Sequence, residues 1–278
     1  MRLVRFGEKG SERPGILRDG RVVDIRRHFP EAPDLGREFF EEGWIERLRS
    51  LTDPGQPLTA RLGSPVARPE KIICLGKNYA EHAREGGMSI PEKPLLFCKT
   101  VNTLNGPHDP VLLPESSGQV DFEVELAVII GRTAKRVPRG KALSYVAGYC
   151  VMNDVSAREA QFSDKQWFRG KSFDTFAPLG PALVTPDEIP DISRLSLKTW
   201  LNGQLMQDGN TSDLIFDAPY LISFISQDIT LVPGDIISTG TPSGVGIFRD
   251  PPVVLKDGDL VRCEISGIGF IENRFVSP

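Results

Sequence analysis

Short runs in which apolar and polar residues alternate dominate this chain, and a period of two builds strands whose successive side chains point to opposite faces. Such runs lie at Leu3 to Phe6, Gly15 to Leu17 and Val22 to Ile25, with Asp19-Gly20 as a hairpin turn between the last two. Others lie at Ile72 to Leu75, Leu95 to Cys98, Val111 to Leu113, Asp121 to Ile130 and Gly148 to Asn153. The last group is Leu197 to Met206, turning at Asn202-Gly203, Asp235 to Ser238, and Asp259 to Phe275, turning near Gly267. Helical spacing is rarer: Glu38 to Leu51, Tyr79 to Glu85, Ser156 to Phe162 and Pro219 to Ser226, with Ser156 and Glu159 forming a capping-box pattern. Pro54, Pro57, Pro65 and Pro69 mark a linker, so the chain divides near residue 68 into a small N-terminal α+β unit, 1–68, and a main unit, 69–278. Many strands with few crossover helices predict a β-rich α+β fold over a doubly wound sheet.

One strand carries charge where its neighbours carry core residues. In Asp121 to Ile130, Glu123 and Glu125 share one face, while Phe122, Val124, Leu126, Val128 and Ile130 line the other. A second apolar run, Val146 to Met152, ends in Asp154 and could lie beside the first, so that three carboxylates converge. Two unit charges roughly 5 Å apart repel by about 3 kcal/mol at an effective dielectric near 20, so such a cluster takes up protons or a cation. Oxygen-only ligation favours Mg2+ or Mn2+, with Ca2+ also compatible. A wet sheet face, with Asp154 simply preceding a helix, gives the same pattern.

Composition narrows the partners. The chain has 278 residues, 40% hydrophobic and 25% charged, with a net charge of −4, enough for a large core without disulfide or metal support. Scattered basic residues exclude nucleic acid or an anionic membrane as the main partner. Cys74, Cys98, Cys150 and Cys263 stand apart among apolar neighbours and read as reduced core residues. A charged start, Met1-Arg2-Leu3-Val4-Arg5, and no long apolar run lead to the expectation of a cytoplasmic protein.

Further candidates surround the carboxylates. His82 and Glu85 fall on one helical face, where a carboxylate orients an imidazole as a base; ordinary ion pairs on a surface helix read the same way. Gly86, Gly87, Met88 and Ser89, then Pro91 to Pro94, form a breaker-rich stretch that suits a hinged lid or a plain loop. Arg158 in the first turn after Asp154, with Gln161 on the same face, suits a substrate carboxylate, or else a local pair with Glu159 or Asp164. Lys171 after Gly170 could face a pocket or solvent, and Thr239 to Gly246 could be an anion loop or a turn.

Taken in order, Leu75-Gly76-Lys77-Asn78-Tyr79-Ala80-Glu81-His82, Asp121-Phe122-Glu123-Val124-Glu125, Asn153-Asp154-Val155-Ser156-Ala157-Arg158, Gly170-Lys171-Ser172 and the Thr239 to Gly246 loop resemble the fumarylacetoacetate hydrolase family. The resemblance runs from Lys71 to near the C-terminus. It implies a mixed β-sandwich roll, usually dimeric, with a small N-terminal domain in some members. It further implies Mg2+ or Mn2+ on Glu123, Glu125 and Asp154, and a catalytic dyad of His82 and Glu85 on a lid. Lys171 would contact the reacting oxygen, with Arg158, Gln161 and Thr241 lining the substrate pocket. The extra upstream Asp ligand of the longer fumarylacetoacetases has no counterpart here. The chain looks closer to shorter bacterial members that split 2,4-diketo acids, acylpyruvates or diketo-deoxy sugar acids, to pyruvate and a carboxylic acid. Similar members decarboxylate oxaloacetate or isomerise 2-hydroxyhepta-2,4-diene-1,7-dioate, and metal ligands alone do not separate these reactions. A non-catalytic module with a structural Ca2+ is the contrasting expectation.

Overall fold

The computed structural model describes residues 1–87, 89–189 and 191–278. Among these the chain is β-rich, with a 12-stranded and a 5-stranded sheet and short helices between strands. From one edge inward the large sheet runs Leu95–Lys99, Ile72–Gly76, Ile236–Ser238, Val124–Ile130, Val146–Asn153 and Ala177–Val184. Neighbours are antiparallel except Ile236–Ser238, which runs parallel to Ile72–Gly76.

Both faces of this sheet are dry. Val124, Leu126, Val128 and Ile130 meet one core, which the 5-stranded sheet completes with Leu197, Val261, Ile265 and Phe275. Ala127 and Ile129 meet a second core with Cys74, Cys150, Met152 and Ile236. The carboxylate face is therefore no wet surface: Glu125, by its parity with Ala127 and Ile129, is the polar end of an otherwise apolar face. Leu35, Phe39, Trp44 and Leu48 cover the apolar end of the same face. The residues before 69 are woven into the sheet, since Arg2–Phe6 pairs with Ala177–Val184.

The hairpin turns at Asp19-Gly20 and Asn202-Gly203 form where expected, with both residues of each at positive φ. The helix Ala218–Asp228 starts one residue before its predicted Pro219, because the Asp217 carboxylate accepts from Tyr220 N at 2.8 Å. Burial of Leu221, Ile222 and Ile225 contributes roughly 1.5–3 kcal/mol each against exposure.

Five expectations need correction. The helix expected over Glu38 to Leu51 is two short pieces, Arg37–Glu41 and Trp44–Arg47, because Gly43 takes φ 70° and breaks it. The expected linker holds two short strands, Gln56–Pro57 and Leu62–Gly63. The long strand from Asp121 splits: Val120–Asp121 pairs with Ser156–Ala157, and a regular strand resumes at Val124. That pairing also holds Ser156 extended, so the helix begins at Arg158, and Ser156 Oγ donates to Asp154 O instead of capping. Of the cysteines, Cys98 is exposed, because it faces outward on an edge strand, and the other three are buried. No described helix is long and apolar enough to cross a membrane.

Candidate metal and substrate site

Two strand ends build the site. Glu123 lies at the break before Val124–Ile130, where Asn153 Oδ1 and the Asp154 N–H replace the ladder by bonding its N–H and carbonyl at 2.9 Å each. Glu125 lies two residues on, and Asp154 directly follows Val146–Asn153. Carboxylate oxygens of Glu123, Glu125 and Asp154 lie within 4.8 Å of one another, and all three residues are buried.

Cations hold the cluster. Lys171, for which a pocket or solvent was open, ends the short helix Phe168–Lys171 and is buried; its Nζ donates to Glu123 Oε2 at 2.7 Å and Asp154 Oδ2 at 2.8 Å. Arg158 pairs with neither Glu159 nor Asp164. Its Nε and Nη2 donate to Asp121 Oδ2 at 3.0 and 2.7 Å, its Nη2 lies 2.7 Å from Glu123 Oε1, and its Nη1 donates to Gln161 Oε1 at 3.0 Å. Lys99, absent from the expected set, is fully buried, with Nζ 2.6 Å from Asp154 Oδ1 and 3.0 Å from Val155 O. Its only signal is a lysine closing an apolar strand. Asp121 also accepts from Gly246 N and Ile247 N, which ties the loop after Thr239 to the cluster.

Burial and crowding set the charge states. Burial, then repulsion from Asp154 and Glu123, pushes the Glu125 carboxyl up to about 8. Burial would likewise raise Glu123, but Lys171 and Arg158 outweigh it and hold that carboxyl down at about 2. Burial lowers Lys99, and Asp154 only partly offsets this. Burial also opposes charge on Lys171, yet Asp154 and Glu123 raise it above the ordinary lysine range.

The donor set fits a hard divalent cation. Its ligands are oxygens only, and four carboxylates (Asp121, Glu123, Glu125, Asp154) face three cations (Lys99, Arg158, Lys171). One negative charge is left over, and it falls on Glu125, whose Oε2 accepts from Ser238 Oγ at 2.6 Å and Gly240 N at 2.9 Å while its other oxygen is free for a ligand. Without a cation the folded protein keeps a proton on Glu125 that the unfolded chain releases above the ordinary glutamate value of 4.5. That proton favours the folded state below the unfolded pKa, and the contribution is lost as pH rises through about 8. Mn2+ has to displace it, so the rise in Tm at a fixed Mn2+ concentration should grow with pH across this window. Melting curves with and without Mn2+ check this; a pH-independent increment would contradict it.

The cluster opens into a narrow cleft. His82 lines it from the helix Ala80–Glu85, which begins one residue after the expected Tyr79. It is 7% exposed, on the buried face of a helix whose Glu81 and Arg84 face outward. Its Nδ1 lies 3.4 Å from Glu85 Oε2, and its ring centroid lies 5.9 Å from that of Phe248. Glu85 is fixed in turn by the Gly244 N–H, 3.0 and 3.1 Å from its two oxygens. Gln161 and Thr241 both line the cleft, Thr241 Oγ1 donating to Val124 O and accepting from Gln207. Of the lid expected at 86–94, Met88 lies outside the described residues; Gly86 and Gly87 close the His82 helix, Gly87 at φ 64°.

Residues 71–276 match the sequence model of the fumarylacetoacetate (FAA) hydrolase C-terminal family. Oxaloacetate tautomerase fahd2, mitochondrial, of Xenopus laevis is 44% identical over 288 residues, covering 99% of this chain and 90% of that protein. Fumarylacetoacetate hydrolase from psychrophilic Exiguobacterium antarcticum superposes with TM-score 0.86 at 37% identity, covering 100% of both chains. Maleylpyruvate hydrolase from Sphingobium sp. SYK-6, in complex with manganese(II) ion and pyruvate, gives TM-score 0.81 at 35% identity, covering 100% of this chain and 99% of that one.

Proposed function

The chain belongs to the fumarylacetoacetate hydrolase family, and from that premise we propose that it interconverts the keto and enol forms of a 2-oxo acid such as oxaloacetate. The observation that carries this reading is the buried His82, braced by Glu85, on the same cleft as Glu123, Glu125 and Lys171. Enolisation needs a proton carrier beside a site that tolerates negative charge on oxygen. Glu123, Glu125 and Asp154 would hold Mg2+ or Mn2+, which when bound stabilises charge developing on the 2-oxo oxygen. Lys171 adds fixed positive charge there. His82 Nδ1 faces Glu85, which leaves Nε2 to take the proton from C3 and pass it to the 2-oxygen, the reverse transfer ketonising the enol. Arg158 and Gln161, bonded to each other, and Thr241 give the cleft a rigid polar wall. The tautomerase relative supports this choice.

A second reading is hydrolysis of the C3–C4 bond of a 2,4-diketo acid to pyruvate and a carboxylic acid. The same His82–Glu85 pair favours it, since a carboxylate-oriented imidazole also suits removal of a proton from water. The maleylpyruvate hydrolase relative supports it. One experiment separates the two. Chelator-treated protein is returned to Mg2+ or Mn2+, and the enol absorbance of oxaloacetate and pyruvate release from acetylpyruvate are followed in parallel. Faster ketonisation without pyruvate release supports tautomerisation, and pyruvate from acetylpyruvate supports hydrolysis. Pyruvate from oxaloacetate would replace both with decarboxylation, and inactivity throughout would overturn the assignment.

A further inference from the structure

We propose that Lys77 reads the far end of the substrate, and that this substrate is a 2-oxo dicarboxylate. The inference rests on the reading above that a 2-oxo acid binds at Glu123, Glu125 and Asp154.

The cations that line the cleft are Lys77, Arg158 and Lys171. Arg158 is committed through Nε, Nη1 and Nη2 to Asp121, Glu123 and Gln161, and Lys171 to Glu123 and Asp154. Lys77 is half-buried, and no described carboxylate pairs with it. It is the one uncommitted cation on the cleft among the described residues. Within the carboxylate cluster the three cations are all paired, and one negative charge remains, on Glu125. A divalent cation would turn the excess of one negative charge into one positive, and a single substrate carboxylate would neutralise that. A second carboxylate entering the cleft therefore needs its own partner, and Lys77 supplies it.

Lys77 is also held in an uncommon backbone state. Its φ is 58°, a region few non-glycine residues occupy unless their surroundings enforce it. Both neighbours do so. Gly76 is pressed against Trp167, where an added Cβ would lie 2.4 Å from the ring. The Asn78 side chain donates to Phe216 O and Thr239 O and accepts from Phe216 N, at 3.0, 2.7 and 2.8 Å. The remaining walls, Phe97, Phe162, Trp167 and Phe248, are flat and apolar, which suits a planar conjugated chain between two charged ends.

The test uses Mn2+-loaded protein and two ligands alike up to C4, 2-oxoglutarate with a terminal carboxylate and 2-oxopentanoate with a methyl in its place. Calorimetric titration should show the wild type preferring the dicarboxylate by about 10- to 100-fold, the range of a charge-assisted contact. Lys77→Met should remove the preference while leaving 2-oxopentanoate binding unchanged, and Lys77→Arg should retain most of it. For oxaloacetate turnover, Lys77→Met should raise KM by a similar factor at nearly constant kcat. An undiminished preference in Lys77→Met, or equal weakening of both ligands, would overturn the role of Lys77. Failure of the Mn2+-loaded wild type to bind either ligand would instead sink the 2-oxo acid reading, and this inference with it.

Discussion

Asp154→Ala is expected to abolish Mn2+-dependent turnover and to cost roughly 3–5 kcal/mol of stability, the usual range for breaking a buried ion pair from one side. Asp154 answers two cations at once, Lys99 through Oδ1 at 2.6 Å and Lys171 through Oδ2 at 2.8 Å. Lys171 keeps Glu123 after the substitution, but Lys99 keeps only the Val155 carbonyl, with its charge in a place that burial already disfavours. Lys99 is thus the larger source of the loss. Urea unfolding gives the stability change and calorimetry with Mn2+ gives the affinity. Asp154→Asn, which retains an oxygen acceptor and the volume, should fold well enough for Mn2+ titration if the alanine variant does not. Stability within about 1 kcal/mol of wild type and intact Mn2+ binding in both variants would contradict the arrangement.

His82→Ala is expected to lower turnover by about 10²- to 10⁴-fold, the typical contribution of a positioned acid–base group, with Mn2+ affinity nearly unchanged. The imidazole is on the cleft but outside the carboxylate triad, so its loss removes the proton carrier and leaves the ligands in place. Glu85→Gln should show a smaller loss, because the Gly244 N–H can still fix its side-chain oxygen while the charge that orients His82 is gone. Steady-state rates and Mn2+ calorimetry on the two variants decide the matter. A His82→Ala variant that turns over within tenfold of wild type, or that loses Mn2+, would refute this division of labour.

Features set by neighbouring residues were readable in advance. Asp19-Gly20 and Asn202-Gly203 turn where their dipeptides require, and Glu123 and Glu125 come together as expected, although Glu123 sits at a strand break held by Asn153 and Asp154. What was not readable depends on residues distant in the chain. Lys99 meets Asp154 across 55 positions, and Ser238 meets Glu125 across 113. Arg158 was expected to find a substrate or a local acid, but Asp121, 37 positions earlier, takes it through the strand pairing that also overrides the Ser156 cap. Propensity at Ser156 favoured a helix start, and a tertiary bridge won.

The second core has a consequence beyond catalysis. Leu35, Phe39, Trp44 and Leu48 lie over Ala127, Ile129, Cys150 and Met152, and Arg2–Phe6 occupies the pairing edge of Ala177–Val184. The strands that carry the carboxylates thus owe the dryness of their underside, and their neighbour Ala177–Val184 its covered edge, to residues that contribute no side chain to the cleft. A fragment cut back to residues 71–276 would present a bare apolar sheet face beside unpaired backbone, the combination that recruits other chains by edge-to-edge pairing. The first segment acts, in that sense, as a built-in guard against aggregation.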